Sequence, residues 1–195
     1  ALHAEFRQRV EQTFNIAPNS RIVLYAPTFR RNLSIEPYRI DWSRILGALR
    51  RHYATDNVTV IVRMHPNLIG KVSTSSLVAF EGVVDGTRYH DMQELLTTAD
   101  MLITDYSSSM FDFTMQGRPC ILYATDVAEY DRGYYFNFRE LPYPLAENED
   151  ELEALIDNFD YEGYTSRLEE FFTYRVGLNE SGHAAQALAE WMVSH

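Results

Sequence analysis

The 195-residue chain holds a single cysteine, Cys120, so no disulfide can form within it. Its strand-like setting, Pro119-Cys120-Ile121-Leu122-Tyr123, predicts a small core residue in a reducing compartment rather than a nucleophile. No apolar run approaches the roughly 20 residues that a membrane span needs. The opening Ala1-Leu2-His3-Ala4-Glu5 has neither the basic nor the apolar stretch of a secretion signal, so spanning and secretion are disfavoured. Internal repeats and low-complexity linkers are absent. So is any G-x-G-x-x-G after the first apolar run, which argues against a dinucleotide oxidoreductase. A basic surplus is missing too: the net charge is -11, the opposite of what a nucleic-acid binder carries.

What is present is enough apolar material for one well-packed unit. At this length a domain buries about 70% of the surface its unfolded chain exposes, and 46% of the residues are hydrophobic, so no staples are needed. The charge is uneven. Residues 1–90 carry 12 Lys+Arg against 7 Asp+Glu, and residues 91–195 carry 5 against 21. A small anion held by a few arginines and N–H groups is compatible with that balance, whereas a long polyanion is not unless it meets only the first half.

Strand and helix signals alternate, the pattern of a parallel sheet covered on both faces. Helical periodicity runs from Glu5 to Phe14, from an Asp41 cap to about Tyr53, and from Asp91 to Ala99 with His90 or Asp91 as cap. Further helices are expected at Ser109–Gln116, Glu149–Phe159, Tyr164–Tyr174 and His183–Met192. Strands are expected at Arg21–Ala26, Val58–Val62, near Val83-Val84, at Met101–Thr104 and at Cys120–Tyr123, with Gly117-Arg118-Pro119 as the last turn. The expected architecture is α/β: one Rossmann-like parallel sheet over residues 1–195 with helices on both faces.

In such a sheet ligands bind beyond the carboxyl ends of the strands. Four of these ends carry polar chemistry: Pro27-Thr28-Phe29-Arg30-Arg31, Arg63-Met64-His65-Pro66-Asn67, Thr104 to Ser109, and Asp126 to Gly133. The third is the most informative. Met101-Leu102-Ile103 breaks into Thr104-Asp105-Tyr106-Ser107-Ser108-Ser109 and restarts as the amphipathic Met110-Phe111-Asp112-Phe113, aiming helix N–H groups and hydroxyls at whatever sits above the sheet. The plainer reading, in which Asp105 and Ser107 only cap the helix, stands on the same spacing.

The segments Val23 to Arg30, Arg63 to Leu68, Leu102 to Phe113, Arg118-Pro119 and Arg132-Gly133-Tyr134-Tyr135 occur in the order and spacing of a known family. Over roughly residues 20–190 the chain resembles the CDP-glycerol glycerophosphotransferases, which build teichoic acid and related poly(polyol phosphate) polymers. The resemblance implies the C-terminal, donor-binding lobe of a two-lobe GT-B transferase. The acceptor would be a polymer or a lipid-linked chain at the cytoplasmic face of the membrane, with membrane contact peripheral. The donor is a substrate; no metal and no cofactor is implied. In the family the general base is a histidine on the N-terminal lobe, which this chain begins too late to contain.

By resemblance, Arg63, Ser107, Ser108 and Ser109 bind donor phosphate, with Arg30, Arg118 and Arg132 as further candidates. His65, stiffened by Pro66, donates to the phosphate or leaving group, the plainer reading being a strand-end histidine satisfied by backbone. Asp105 belongs to the catalytic set as the residue that orients the serine loop or His65, since a carboxylate facing a diphosphate is repelled. Thr28, Asn67, Tyr106, Asp112 and Gly133 fall in the nucleotide or acceptor vicinity. Two other classes fit the same architecture: a nucleotide-sugar glycosyltransferase lobe and a non-catalytic nucleotide-binding module.

Overall fold

The computed structural model describes residues 2–31, 34–69, 77–129, 136–178 and 182–195. Six parallel strands, β1 (Arg21–Ala26), β2 (Val58–Val62), β3 (Val83–Asp85), β4 (Met101–Thr104), β5 (Cys120–Tyr123) and β6 (Leu145–Ala146), form one sheet in the order β3-β2-β1-β4-β5-β6. This is the doubly wound, Rossmann-like order, and its direction reverses between β1 and β4. The helices are α1 (Leu2–Phe14), which precedes the sheet, the strand-connecting α2 (Trp42–Tyr53), α3 (Met92–Thr98) and α4 (Ser109–Thr114), and, after β6, α5 (Glu149–Asp157) and α6 (Tyr161–Glu170). The last continues into a π-helical turn, Phe171–Val176, before α7 (Ala184–Ser194).

The strands alternate between two cores with the period of two that a pleated strand dictates. Val23, Tyr25, Val60, Val62, Met101, Ile103, Ile121 and Tyr123 face the layer of α2 and α5. Ile22, Leu24, Ile61, Leu102, Cys120 and Leu122 face the layer of α1, α3, α4 and α6. Cys120 is fully buried, and burial raises its thiol pKa far out of the reactive range.

Helix starts are specified locally. Asp41 accepts from Ser43 N–H at 3.0 Å, Asp91 from Gln93 N–H at 2.7 Å, Asn148 from Glu151 N–H at 2.9 Å and Asp160 from Gly163 N–H at 2.9 Å. Each such cap contributes about 1 kcal/mol. Asp91, rather than His90, is therefore the cap of α3.

Much of the charge asymmetry is spent inside the fold. Arg44 of α2 pairs with Asp150 at 2.6 Å and also with Glu153, and Arg51 reaches Glu153 at 2.9 Å and Asp157 at 2.7 Å, all on α5. The basic first half and the acidic second half meet across this helix pair.

Several boundaries differ from expectation. β6 is only two residues long and follows Pro142 and Pro144, so no alternation announces it. α4 ends at Thr114 because Met115 to Gly117 form a turn in which Gly117 takes φ 69°. α6 begins three residues before the expected Tyr164, where Asp160 supplies the cap.

Candidate functional site

The carboxyl edge of β2, β1, β4 and β5 carries three tightly linked loops. Asp105, at the end of β4, is 1% exposed, and its Oδ1 accepts the backbone N–H of Thr28 at 2.8 Å and of Tyr106 at 2.6 Å. That carboxylate thus joins the loops after β1 and β4 at the point where the strand order reverses. Its Oδ2 lies 2.8 Å from Arg30 Nη1. Burial drives the Asp105 pKa up, opposed by the Arg30 charge and the Thr28 hydrogen bond.

Arg30 itself is 7% exposed. Its Nε and Nη2 hold Asp126 at 2.6 and 3.0 Å, and its Nη1 donates to the carbonyl and hydroxyl oxygens of Thr28, both at 2.8 Å. Tyr38 accepts the Arg30 backbone N–H at 2.9 Å, and Tyr106 donates its hydroxyl to Asp126 at 2.9 Å. The hydrogen bonds from Arg30 and Tyr106 outweigh desolvation and hold the Asp126 carboxyl below the usual carboxylate range. Arg30, a donor-phosphate candidate from the sequence, is bonded instead to Asp105, whose expected place beside the serine loop is matched by its bond to the Tyr106 N–H.

Within that loop Ser107 Oγ lies 2.8 Å from Ser109 Oγ and accepts the Ser109 N–H at 3.3 Å. Ser109 is buried, Ser107 half-buried and Ser108 exposed at the head of α4, where its side chain makes no capping bond. The capping role is thus taken by Ser107, and the outward hydroxyl belongs to Ser108. Asp112 lies exposed in the first turn of α4.

On the other side of β1, the residues after β2 form a 3-10 turn, Pro66–Leu68, and His65, Pro66 and Asn67 are exposed. His65 Nδ1 accepts the Asn67 N–H at 3.1 Å. A ring nitrogen that accepts carries no proton, so in the neutral imidazole the proton sits on Nε2. The Phe29 and His65 rings lie 5.9 Å apart, linking the loops after β1 and β2.

Among the described residues, Arg63 is a poorly compensated cation of this edge. Its Nη2 donates to Tyr89 O at a long 3.4 Å, its Nε is buried without a hydrogen bond, and no carboxylate among the described residues comes within 4.0 Å. Burial lowers its pKa, only partly opposed by Asp91. A desolvated guanidinium with open donors favours an anion above the sheet.

Arg118 is a correction. It precedes β5 and therefore lies at the amino edge of the sheet, opposite the serine loop. There its Nη1 donates to Thr97 O at 2.7 Å and Ala99 O at 2.6 Å. Its candidacy came from the Arg118-Pro119 segment of the resemblance, but a residue in a helix-to-strand turn ends on the amino side of a parallel sheet. Arg132 and Gly133, with Tyr134 and Tyr135, lie outside the described residues. Asp126 and Tyr38 were not singled out from sequence; the only signal for Asp126 was its place just past β5.

Among the described residues no group of three or more His, Cys, Asp or Glu is arranged to hold a metal ion. Likewise, none of the described helices is long and apolar enough to cross a membrane.

A doubly wound parallel sheet with serine hydroxyls, an imidazole and Arg63 along its carboxyl edge defines the class, a Rossmann-like α/β fold with a polar strand-end edge. A model of the family described as CDP-Glycerol:Poly(glycerophosphate) glycerophosphotransferase matches residues 2–193, and the chain belongs to that family. It is 34% identical over 159 residues to the teichoic acid glycerol-phosphate transferase of Staphylococcus aureus, covering 78% of this chain and 39% of that one. It is 28% identical over 169 residues to the teichoic acid ribitol-phosphate polymerase TarK of the same species, covering 83% and 32%. The solved structure of the wall teichoic acid polymerase TagF superposes with a TM-score of 0.72 at 27% identity, covering 97% of this chain and 47% of that one. The chain spans less than half the length of these relatives.

Proposed function

We propose that this chain is the donor-binding half of a polyol-phosphate transferase. It would take glycerol phosphate from a CDP-linked donor and pass it to a hydroxyl of a teichoic-acid-like polymer or lipid-linked acceptor. The observation that carries the reading is Arg63: a half-buried guanidinium without a carboxylate partner among the described residues, on the same sheet edge as His65 and the exposed Ser108.

The chemistry is a phosphoryl transfer. The acceptor oxygen forms a bond to the phosphorus next to the polyol, the P–O bond to the cytidylate phosphate breaks, and CMP leaves with added negative charge. Arg63 faces that charge as a fork, His65 donates from Nε2, and Ser107 and Ser108 offer hydroxyls, so stabilisation is electrostatic and already in place before reaction. His65 acts here as a donor, because its other nitrogen is occupied by Asn67. The base for the acceptor hydroxyl comes from the other lobe of a GT-B pair. This reading calls for no resident cofactor and puts the enzyme in the cytoplasm, at the inner face of the membrane through peripheral contact.

Glycerol is taken as the polyol, with ribitol as the rival donor that the titration separates. The test is calorimetric titration of the chain at low salt with CDP-glycerol, CDP-ribitol, CDP and UDP-N-acetylglucosamine. Preference for the cytidine ligands, weakened about tenfold or more in Arg63→Ala, is the expected result. Preference for the uridine sugar would move the chain to the sugar transferases, and binding untouched by Arg63→Ala would remove the site.

A further inference from the structure

We propose that Asp126, acting through Arg30 and Tyr106, is a positioning residue that holds the Ser107–Ser109 loop in the conformation its anionic ligand needs. The inference rests on the donor-site reading above and adds a residue from the β5 loop that makes no ligand contact itself.

The geometry is a bridge over three strands. Arg30 leaves the loop after β1, and Asp126 follows β5, two positions along in the order β1-β4-β5. That separation is about 10 Å at ordinary strand spacing, so the guanidinium must pass over the end of β4 to reach its partner. It does so as a fork, with Nε and Nη2 on the two Asp126 oxygens at 2.6 and 3.0 Å.

Tyr106, the residue before Ser107, is held beneath this bridge from several directions. Its hydroxyl donates to Asp126 Oδ1 at 2.9 Å, its ring centroid lies 4.9 Å from the Arg30 guanidinium carbon and 4.8 Å from the Phe138 ring, and its N–H is bonded to Asp105 at 2.6 Å. Both the backbone and the side chain of Tyr106 are therefore fixed where the chain enters the serine loop.

Ser107 and Ser109, in contrast, bond chiefly to each other. Their placement relative to the sheet is set by Tyr106 on the entry side and by the buried Met110 and Phe113 of α4 on the other. A site whose donors are oriented before the ligand arrives loses less entropy on binding, and a supporting layer of this kind supplies that order. Among the described residues, Asp126 reaches the serines through Tyr106 and Arg30.

The decisive variant is Tyr106→Phe, which keeps the ring packing and deletes one hydroxyl; Asp126→Asn is the second, keeping shape while breaking the charged fork. Both are titrated with CDP-glycerol, alone and combined with Ser107→Ala, and backbone hydrogen exchange is followed without ligand. The expected result is about three- to tenfold weaker binding for Tyr106→Phe. Ser109 and Met110 amides should exchange faster by more than the accompanying fall in global stability accounts for. In the Ser107→Ala background the Tyr106→Phe effect on affinity should largely vanish, because the two act on one element. Additive losses of affinity, or a lowered midpoint with exchange and affinity unchanged, would reduce the bridge to a stability clip and overturn the proposal. If wild type binds none of the nucleotides, the donor-site reading falls on its own. Exchange at Ser109 and Met110 then decides the loop-positioning half: unchanged rates in both variants overturn it, and faster rates uphold it.

Discussion

The backbone N–H of Asn67 donates to Nδ1 of His65 at 3.1 Å, and this bond decides which ring nitrogen carries the proton. The arrangement follows from Pro66, whose fixed φ starts the 3-10 turn and folds Asn67 back toward the ring. Nitrogen NMR of the ring at neutral pH should report the Nε2–H tautomer. The Nδ1–H form would remove His65 as a phosphate donor of the kind described. His65→Ala should weaken CDP-glycerol binding by about tenfold or more, the size of one lost hydrogen bond to a charged group.

Arg63 has a cost that its removal should reveal. Because burial lowers its pKa and no carboxylate among the described residues pairs with it, Arg63→Ala should leave the melting temperature equal or higher while weakening donor binding. Arg63→Lys should not restore affinity, since an ammonium cannot present a planar fork. A lowered melting temperature with unchanged affinity would make the arginine structural.

Arg118 should behave in the reverse way. Its guanidinium satisfies the carbonyls of Thr97 and Ala99 at the amino edge, between α3 and β4. Arg118→Ala leaves those acceptors wanting and should lower unfolding free energy by about 1–3 kcal/mol in denaturant titration. Nucleotide affinity should stay at the wild-type value; a tenfold loss would put Arg118 back among the ligand groups.

His52 gives stability a pH dependence of known sign. Its Nδ1 lies 2.8 Å from Ile156 O and its Nε2 2.9 Å from the Tyr161 hydroxyl, so the neutral ring donates to the first and accepts from the second. Burial lowers its pKa below the ordinary value of about 6.5. The unfolded chain therefore binds this proton first, and stability contributed by neutral His52 is complete above pH of about 6.5 and lost as pH falls toward the folded pKa. Denaturant titrations at pH 7.5 and 5.5 should show the loss in wild type and a smaller one in His52→Gln. Equal losses would assign the dependence elsewhere.

The parts of the fold that could be read from sequence are those set by local periodicity. Strands β1, β2, β4 and β5 are runs of apolar residues bounded by Pro27, Arg63, Asp105 and Ala124, and a buried parallel strand has no other appearance. Asp41 and Asp91 announce their helices because a cap acts within three residues. Leu145-Ala146 carries no such signal, since two residues cannot show alternation, and it becomes a strand only through pairing with Leu122 and Tyr123.

Placement at the carboxyl edge divides along the same line. Arg63, His65 and the three serines were legible because each follows directly on a strand, and the parallel sheet carries everything after a strand to one edge. Arg30 and Asp126 are 96 residues apart, and nothing in either neighbourhood names the other. The chain's own sequence determined the doubly wound class, the helix caps and which polar residues reach the carboxyl edge, because those depend on spacing within a few residues. Only the tertiary structure decided which of those residues stay open and which are consumed. Burial makes an unpaired charge costly, so a guanidinium takes whichever carboxylate the strand order brings within reach: Arg30 finds Asp105 and Asp126, and Arg63 finds none among the described residues.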